Sequence, residues 1–296
     1  MAKADVFNEE GEKIREMELP KYFDLPYRED IINKVYEALK LNARAAIGRY
    51  ALAGKETSAS GKVRHVRRRY RTAYGRGISR VPRKILLRRK PQGFYWVGAF
   101  IPSARGGYRA HPPKPLRREL KINKKEKFLA LLYALSATAN KDIVKKRYKS
   151  LQRSLQRLKE LQKSGEEKIP NLPILLDISL EKIKKAKELK EIIEKVFQNF
   201  PALKEIIFKK RKVRAGKGKL RGRRYKSSAG LLLVVSNSEF KPLKTTGIAI
   251  AKASNLSLKE LAPGNIPGRL TAFTVQGFNE LNSRINAQAE KLNLKI

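Results

Sequence analysis

From Lys62 to Arg118 the chain carries 18 lysines and arginines and not one aspartate or glutamate, and from Phe208 to Lys226 it carries 11 more, again without an acid. Together these stretches hold 29 of the formal net charge of +41. A folded core cannot absorb such runs, because a buried charge needs a partner and the runs contain none. They must leave the core as two excursions, repel themselves in water and take their order from an external polyanion. The rest of the chain can supply a core, since 41% of the 296 residues are hydrophobic, and that length allows one large domain or two small ones.

The kind of polyanion follows from what stands among the charges. Arginine outnumbers lysine across the two stretches, and Tyr70, Tyr74, Phe94, Tyr95, Trp96, Phe100, Tyr108 and Tyr225 are interleaved with it. Guanidinium groups grip phosphates bidentately while rings stack on unpaired bases, which favours folded RNA over duplex DNA. Solubilising or targeting runs need no such rings. The candidate contacts in the first stretch are Arg64, Arg67, Arg68, Arg69, Arg71, Arg76, Arg80, Arg83, Arg88, Arg89, Arg105, Arg109, His111 and Lys114. In the second they are Arg214, Lys217, Lys219, Arg221, Arg223 and Arg224.

Other chemistries find little footing. The absence of cysteine removes disulfides, thiolate zinc sites and cysteine nucleophiles, and fits a reducing cytosol. The longest apolar run, Leu129 to Ala139, is interrupted by Ser136 and Thr138 and falls short of a membrane span. The N-terminus lacks the apolar region of a secretory signal. Around Gly61 a phosphate loop fails, because Glu56 stands five residues before it and Val63 replaces the magnesium-binding hydroxyl. Gly216-Lys217-Gly218 is followed by Arg221 where a dinucleotide fingerprint needs its third glycine. The two histidines, His65 and His111, lie in acid-free stretches and cannot build a catalytic metal site, so His111 reads as a structural or RNA-contact residue. Asp177 alone among the acids ends a predicted strand, where sheet enzymes place catalytic groups and helices place N-caps. We therefore expect no metal and no cofactor. An RNA-processing or RNA-modifying enzyme on an α/β fold is the rival class and would need a cofactor fingerprint or clustered acids. A DNA-compacting protein would show lysine-rich runs with few rings.

Outside the basic runs, strand and helix patterns alternate. Strands are predicted at Ala4–Phe7, Ile174–Ile178, Leu203–Phe208, Gly230–Val235, Gly247–Ala251 and Leu270–Val275. Helices are predicted at Tyr27–Ala46, with a buried stripe of Ile31, Val35 and Leu39, and from an Asn123/Glu126 capping box through Thr138. Further helices are predicted over Asp142–Gly165, with Tyr148, Leu151, Leu155, Leu158 and Leu161 on one face, and at Leu180–Phe197 and Gly277–Leu292. Short apolar strands alternating with helices argue for an α/β fold, a single globular domain with a mostly parallel sheet covered by helices. The first basic stretch lies between the first two core helices, and so reads as one long extended loop inserted there.

Several runs carry a resemblance: Gly77 to Arg83, Ala110-His111-Pro112-Pro113-Lys114, Ile122 to Glu126, Arg214 to Lys226, Leu261-Ala262-Pro263-Gly264 and Pro267-Gly268-Arg269-Leu270. In order and spacing they resemble the archaeal-type large-subunit ribosomal protein of the universal L-four family, from Phe23 to about Thr274. The resemblance implies a non-enzymatic protein of the large ribosomal subunit in the cytoplasm. It implies a globular domain of residues 1–47 and 119–296, an rRNA-penetrating loop of residues 48–118, and a second basic loop of residues 209–226. It also implies large-subunit rRNA and neighbouring ribosomal proteins as partners, with no membrane and no small-molecule substrate. In that family the loop tip helps to line the peptide exit tunnel, which makes the nascent peptide a further partner. The tunnel-facing candidates are Thr72, Tyr74, Gly75, Gly77 and Ser79, where small or hydrated groups would let a nascent chain pass.

Overall fold

The computed structural model describes residues 3–48, 50–59, 65–68, 72–89, 93–116, 119–153, 156, 170–177, 183, 185–208, 211–226, 228–238, 243 and 247–294. The chain divides into two compact units, Met1–Asn42 with Leu120–Ile296, and Ala43–Glu119. Its described strands are β1 (Lys3–Phe7), β2 (Lys13–Glu18), β3 (Arg83–Arg89), β4 (Gly93–Gly98), β5 (Ile174–Leu176), β6 (Lys212–Val213), β7 (Tyr225–Lys226), β8 (Leu231–Val235), β9 (Ile248–Lys252) and β10 (Thr271–Thr274).

The first unit is α/β. Its six-stranded sheet has the order β2-β1-β5-β10-β8-β9, parallel throughout except for β2, which runs antiparallel to β1 at the edge. Side chains alternate across a strand, so each apolar run feeds two cores. Val6, Leu175, Leu232, Val234 and Phe273 face one core, which is closed by α1 (Glu29–Asn42), α2 (Lys124–Ala139) and the helix Val275–Lys291. Phe7, Ile174, Leu176, Leu231, Leu233, Val235 and Ala272 face the other, closed by the helices Ala186–Val196 and Pro201–Ile207. All five residues of β8 are buried. Each such large side chain contributes about 2 kcal/mol by leaving water.

The last helix shows why a parallel strand can lead straight into a helix. The Thr274 hydroxyl accepts from the Gly277 N–H at 3.1 Å, capping it. A Cβ at Gly277 would meet the Val235 carbonyl carbon at 2.8 Å, so only glycine lets this first turn lie against β8.

Several elements differ from the sequence expectation. Leu203–Phe208 is no strand: Pro201 opens a helix over Pro201–Ile207, where Leu203, Ile206 and Ile207 bury one face at helical spacing. The first helix is shorter, Glu29–Asn42, and turns Ile32, Val35 and Ala38 fully inward, leaving Ile31 and Leu39 half-buried. Asn123 does cap α2, accepting from the Lys125 N–H at 3.1 Å, but Glu126 turns outward to Lys34 at 2.8 Å instead of closing a capping box. The single long helix over Asp142–Gly165 is interrupted. α3 (Lys141–Arg147) ends at Tyr148, whose buried hydroxyl donates to the Ala229 carbonyl at 3.0 Å and accepts from the Leu270 N–H at 3.2 Å. Leu151 is buried beyond that break, while Leu155, Leu158 and Leu161 lie outside the described residues. The helix expected from Leu180 begins at Ala186, with 178–182 and 184 outside the described residues.

In the second unit, the described part of residues 48–118 contains a hairpin. β3 and β4 pair antiparallel, with Arg83 opposite Gly98 and a register shift between Ile85 and Leu87. The flanking arms lie side by side: a Cβ on Gly48 would come within 3.1 Å of Pro115 Cβ, and one on Gly54 within 2.3 Å of the Gly107 carbonyl carbon. Gly54, with φ +74°, therefore has both a backbone and a steric reason to lack a side chain.

Candidate nucleic-acid interface

Lys212 to Lys226 of the second basic stretch form a ribbon in the first unit. β6 and β7 pair with Lys212 opposite Lys226 and Val213 opposite Tyr225, and a 3-10 turn over Lys217–Arg221 joins them. The chain reverses through two left-handed positions, and both are glycine: Gly216 at φ +77° and Gly222 at φ +74°. Arg214 fastens the turn. Its N–H donates to the Arg224 carbonyl at 2.8 Å, its Nε donates to the Arg223 carbonyl at 3.2 Å, and its Cδ lies where a Cβ on Gly218 would approach to 2.7 Å.

The backbone is thus preorganised while the charges stay in water. Lys217, Lys219, Arg221, Arg223 and Arg224 are all exposed, and the described ion pairs all fall elsewhere in the chain. Arg224 lies 5.8 Å from the Tyr225 ring centre, a cation on an exposed aromatic face. Such an array suits a phosphate backbone with an unpaired base beside it. Arg214 alone among the predicted contacts of this run is half-buried and turned inward, so it shapes the surface more than it forms it.

In the second unit the predicted residues are partly gathered. Tyr74 is the hub: the Arg67 guanidinium sits 4.9 Å from its ring centre, and the His65 ring 5.3 Å away. Arg76 lies 5.7 Å from the Trp96 ring centre, which brings the turn and β4 together. The Thr72 hydroxyl accepts from the Tyr74 N–H at 3.1 Å, and the following turn places Gly75 at φ +72° and Gly77 at φ +62°. Arg83 is engaged rather than open, its Nη2 donating to both the carbonyl and the hydroxyl of Ser79 at 3.0 Å. Arg68 takes a left-handed backbone at φ +57°. Arg80, Arg88, Arg105, Arg109, His111 and Lys114 are exposed, and Arg89 ends β3 opposite Gly93. Arg64, Arg69 and Arg71 lie outside the described residues.

Two arginines in or bonded to the runs that carry the family resemblance are structural. Arg269 is buried, and its Nε and Nη1 donate at 2.9 Å to the carbonyls of Gly230 and Glu260. Arg147 reaches the carbonyls of Pro263 and Pro267 at 3.0 and 3.3 Å. Burial pushes both guanidinium groups below their ordinary value. Sequence reasoning assigned these two arginines no role, because nothing in a sequence marks an arginine that ties buried carbonyls together. It also missed Leu220, which stands 88% exposed amid the cations of the ribbon turn.

Asp177 is exposed at the end of β5, its N–H donating to the Phe7 carbonyl at 2.8 Å, and the helix start it was expected to cap lies outside the described residues. Among the described residues no group of three histidines or acids could hold a metal ion, and no helix is long and apolar enough to cross a membrane.

Residues 17–284 match the model of the ribosomal protein L4/L1 family. The chain is similar to the large ribosomal subunit protein uL4 of Nanoarchaeum equitans, 36% identical over 284 residues that cover 94% of this chain and 97% of that protein. It is 34% identical over 295 residues to the protein of the same name from Sulfurisphaera tokodaii, covering 97% and 96%. To that of Methanocaldococcus jannaschii it is 34% identical over 289 residues, covering 95% and 99%.

Proposed function

The chain belongs to the ribosomal protein L4/L1 family, and from that premise we propose that it binds large-subunit rRNA through both basic stretches while the middle of residues 48–118 reaches the wall of the peptide exit tunnel. It is a large-subunit ribosomal protein of the cytoplasm and not an enzyme. Its partners are large-subunit rRNA, neighbouring ribosomal proteins and, at the tip, the nascent peptide. In this reading residues 1–47 and 119–296 form the globular domain, 48–118 the penetrating loop and 209–226 a second rRNA-binding loop.

The observation that carries the reading is the ribbon turn. Lys217, Lys219, Arg221, Arg223 and Arg224 are held exposed on a backbone locked by Arg214, with no acid from Phe208 to Lys226 to neutralise them. Holding like charges together costs free energy that phosphates return by releasing their counterions.

Sedimentation of a cell lysate in a sucrose gradient tests the class. Comigration with the large subunit, lost after nuclease treatment, is the expected result. A peak confined to free protein, or to a nuclease-resistant complex without large-subunit rRNA, would overturn it.

A further inference from the structure

We infer that Leu220 is an apolar wedge that seats between or against unstacked bases of the RNA, supplying site selection where the surrounding cations supply salt-dependent attraction. The inference rests on the rRNA-binding reading above and deepens it.

Leu220 is 88% exposed, more than any other exposed large hydrophobic residue described, and it does not sit on a slack loop. The 3-10 turn that carries it is closed by left-handed Gly216 and Gly222, by the Arg223 N–H donating to the Gly218 carbonyl at 3.1 Å, and by the Arg214 strap beneath. The side chain therefore cannot fold back to hide itself. A leucine offers a phosphate neither charge nor hydrogen bond, so its place between Lys219 and Arg221 gains nothing from the RNA backbone. It gains where an apolar surface is presented inside a field of phosphates, which is the face of a base in an opened stack. A protein pocket is the other conceivable seat, but the cores of protein interfaces are poor in lysine, and Leu220 has cations on both sides.

The test uses the full-length chain and a transcript of large-subunit rRNA, with binding measured across a salt series. Leu220→Ser should weaken binding about tenfold at every salt concentration while leaving the salt slope unchanged, and Leu220→Met should stay within about twofold of wild type. Arg221→Ala, the contrast, should flatten the slope. An unaltered thermal transition in Leu220→Ser establishes that the fold is intact, as expected for so exposed a residue. Leu220→Ser binding as wild type does, whether or not it still engages a neighbouring protein in assembled subunits, overturns the wedge and leaves the rRNA reading standing. Wild-type protein that does not bind the transcript overturns the reading beneath it.

Discussion

The side-chain amide of Asn42 clasps the backbone of Leu120 twice, donating to its carbonyl at 2.9 Å and accepting from its N–H at 2.8 Å, although the two residues are 78 positions apart. The pair imitates one rung of a β-ladder. It joins the end of α1 to the segment that leads into α2, so both ends of Ala43–Glu119 are fixed at a single point of the first unit. Excising Ala43–Glu119 and joining Asn42 to Leu120 through a short Gly/Ser linker should therefore leave a domain that unfolds cooperatively and is far less basic. Calorimetry of the excised protein checks this, and a trace without a cooperative transition contradicts it.

Arg269 stands in a run that carries the family resemblance and behaves as a strut. Replacing it by Met leaves the carbonyls of Gly230, Leu231 and Glu260 without their donor in a buried place. At about 1 kcal/mol or more for each abandoned group, the destabilisation should reach ~3 kcal/mol. Denaturant unfolding should show the drop, while the salt slope of RNA binding by the folded fraction stays at the wild-type value.

The contrast between Arg269 and Arg221 marks where sequence reading ends. The parallel sheet was legible because β5, β8 and β10 are buried on both faces and so read as unbroken apolar runs. The edge strand β2 was not, because it is solvent-facing and its sequence KIREME carries charges in place of an apolar pattern. Leu203–Phe208 was misread for a related reason: a short apolar run fits either period, and the Pro201 that starts a helix there lies just outside the run. The β3–β4 hairpin was hidden because exposed Leu86 and Leu87 stand side by side across a register shift, which breaks the alternation of a strand. In the candidate interface, charge marked which segments carry exposed cations but not which arginines turn inward, since Arg214 and Arg223 differ only in what their side chains meet after folding.

Asp5 should give the fold a measurable acid limit. Its carboxylate accepts from Lys13 Nζ at 2.8 Å and from the Asn171 backbone N–H at 2.8 Å, tying β1 both to its edge neighbour and to the segment before β5. Burial works to raise this carboxyl, but the bonds from Lys13 and Asn171 together outweigh it and hold the group below its ordinary value. Because the unfolded chain takes up the proton first, the contribution is complete above about pH 4 and is lost as pH falls through the lower folded value. Asp5→Asn should be about 1 to 2 kcal/mol less stable at neutral pH and should lose less on acidification than wild type. Parallel acid curves for the two proteins would contradict it.

The ribbon turn allows surface charge to be separated from scaffold within one loop. Changing Arg221, Arg223 and Arg224 together to Ala removes three exposed cations, and the slope of log affinity against log salt should flatten by roughly 0.7 to 0.9 for each phosphate that is no longer neutralised. Arg214→Ala removes the strap instead, so it should weaken binding chiefly by loosening the turn, which proteolysis of the ribbon would report. An unchanged slope in the triple variant would show that this run is not at the RNA interface.

The proposed tunnel placement of the turn near Gly75 makes the last prediction. A wall that lets a nascent chain pass should offer backbone, small groups or hydrated groups, with cations held back from the lumen. At Gly75 and Gly77 a Cβ would find no heavy atom within 4 Å, so that side of the turn is open. Arg67 and Arg76 are drawn onto the rings of Tyr74 and Trp96, and Arg83 onto Ser79, which fixes where these charges point without neutralising them. A photoreactive phenylalanine at Tyr74 preserves the ring that carries Arg67 and His65, and a second probe at Ser79 samples the other side of the turn. In ribosomes stalled on a nascent peptide, at least one of these probes should crosslink to the peptide. Crosslinks to ribosomal RNA alone at both positions would place the turn behind the wall, and residues 48–118 would then be an rRNA clamp without a tunnel face.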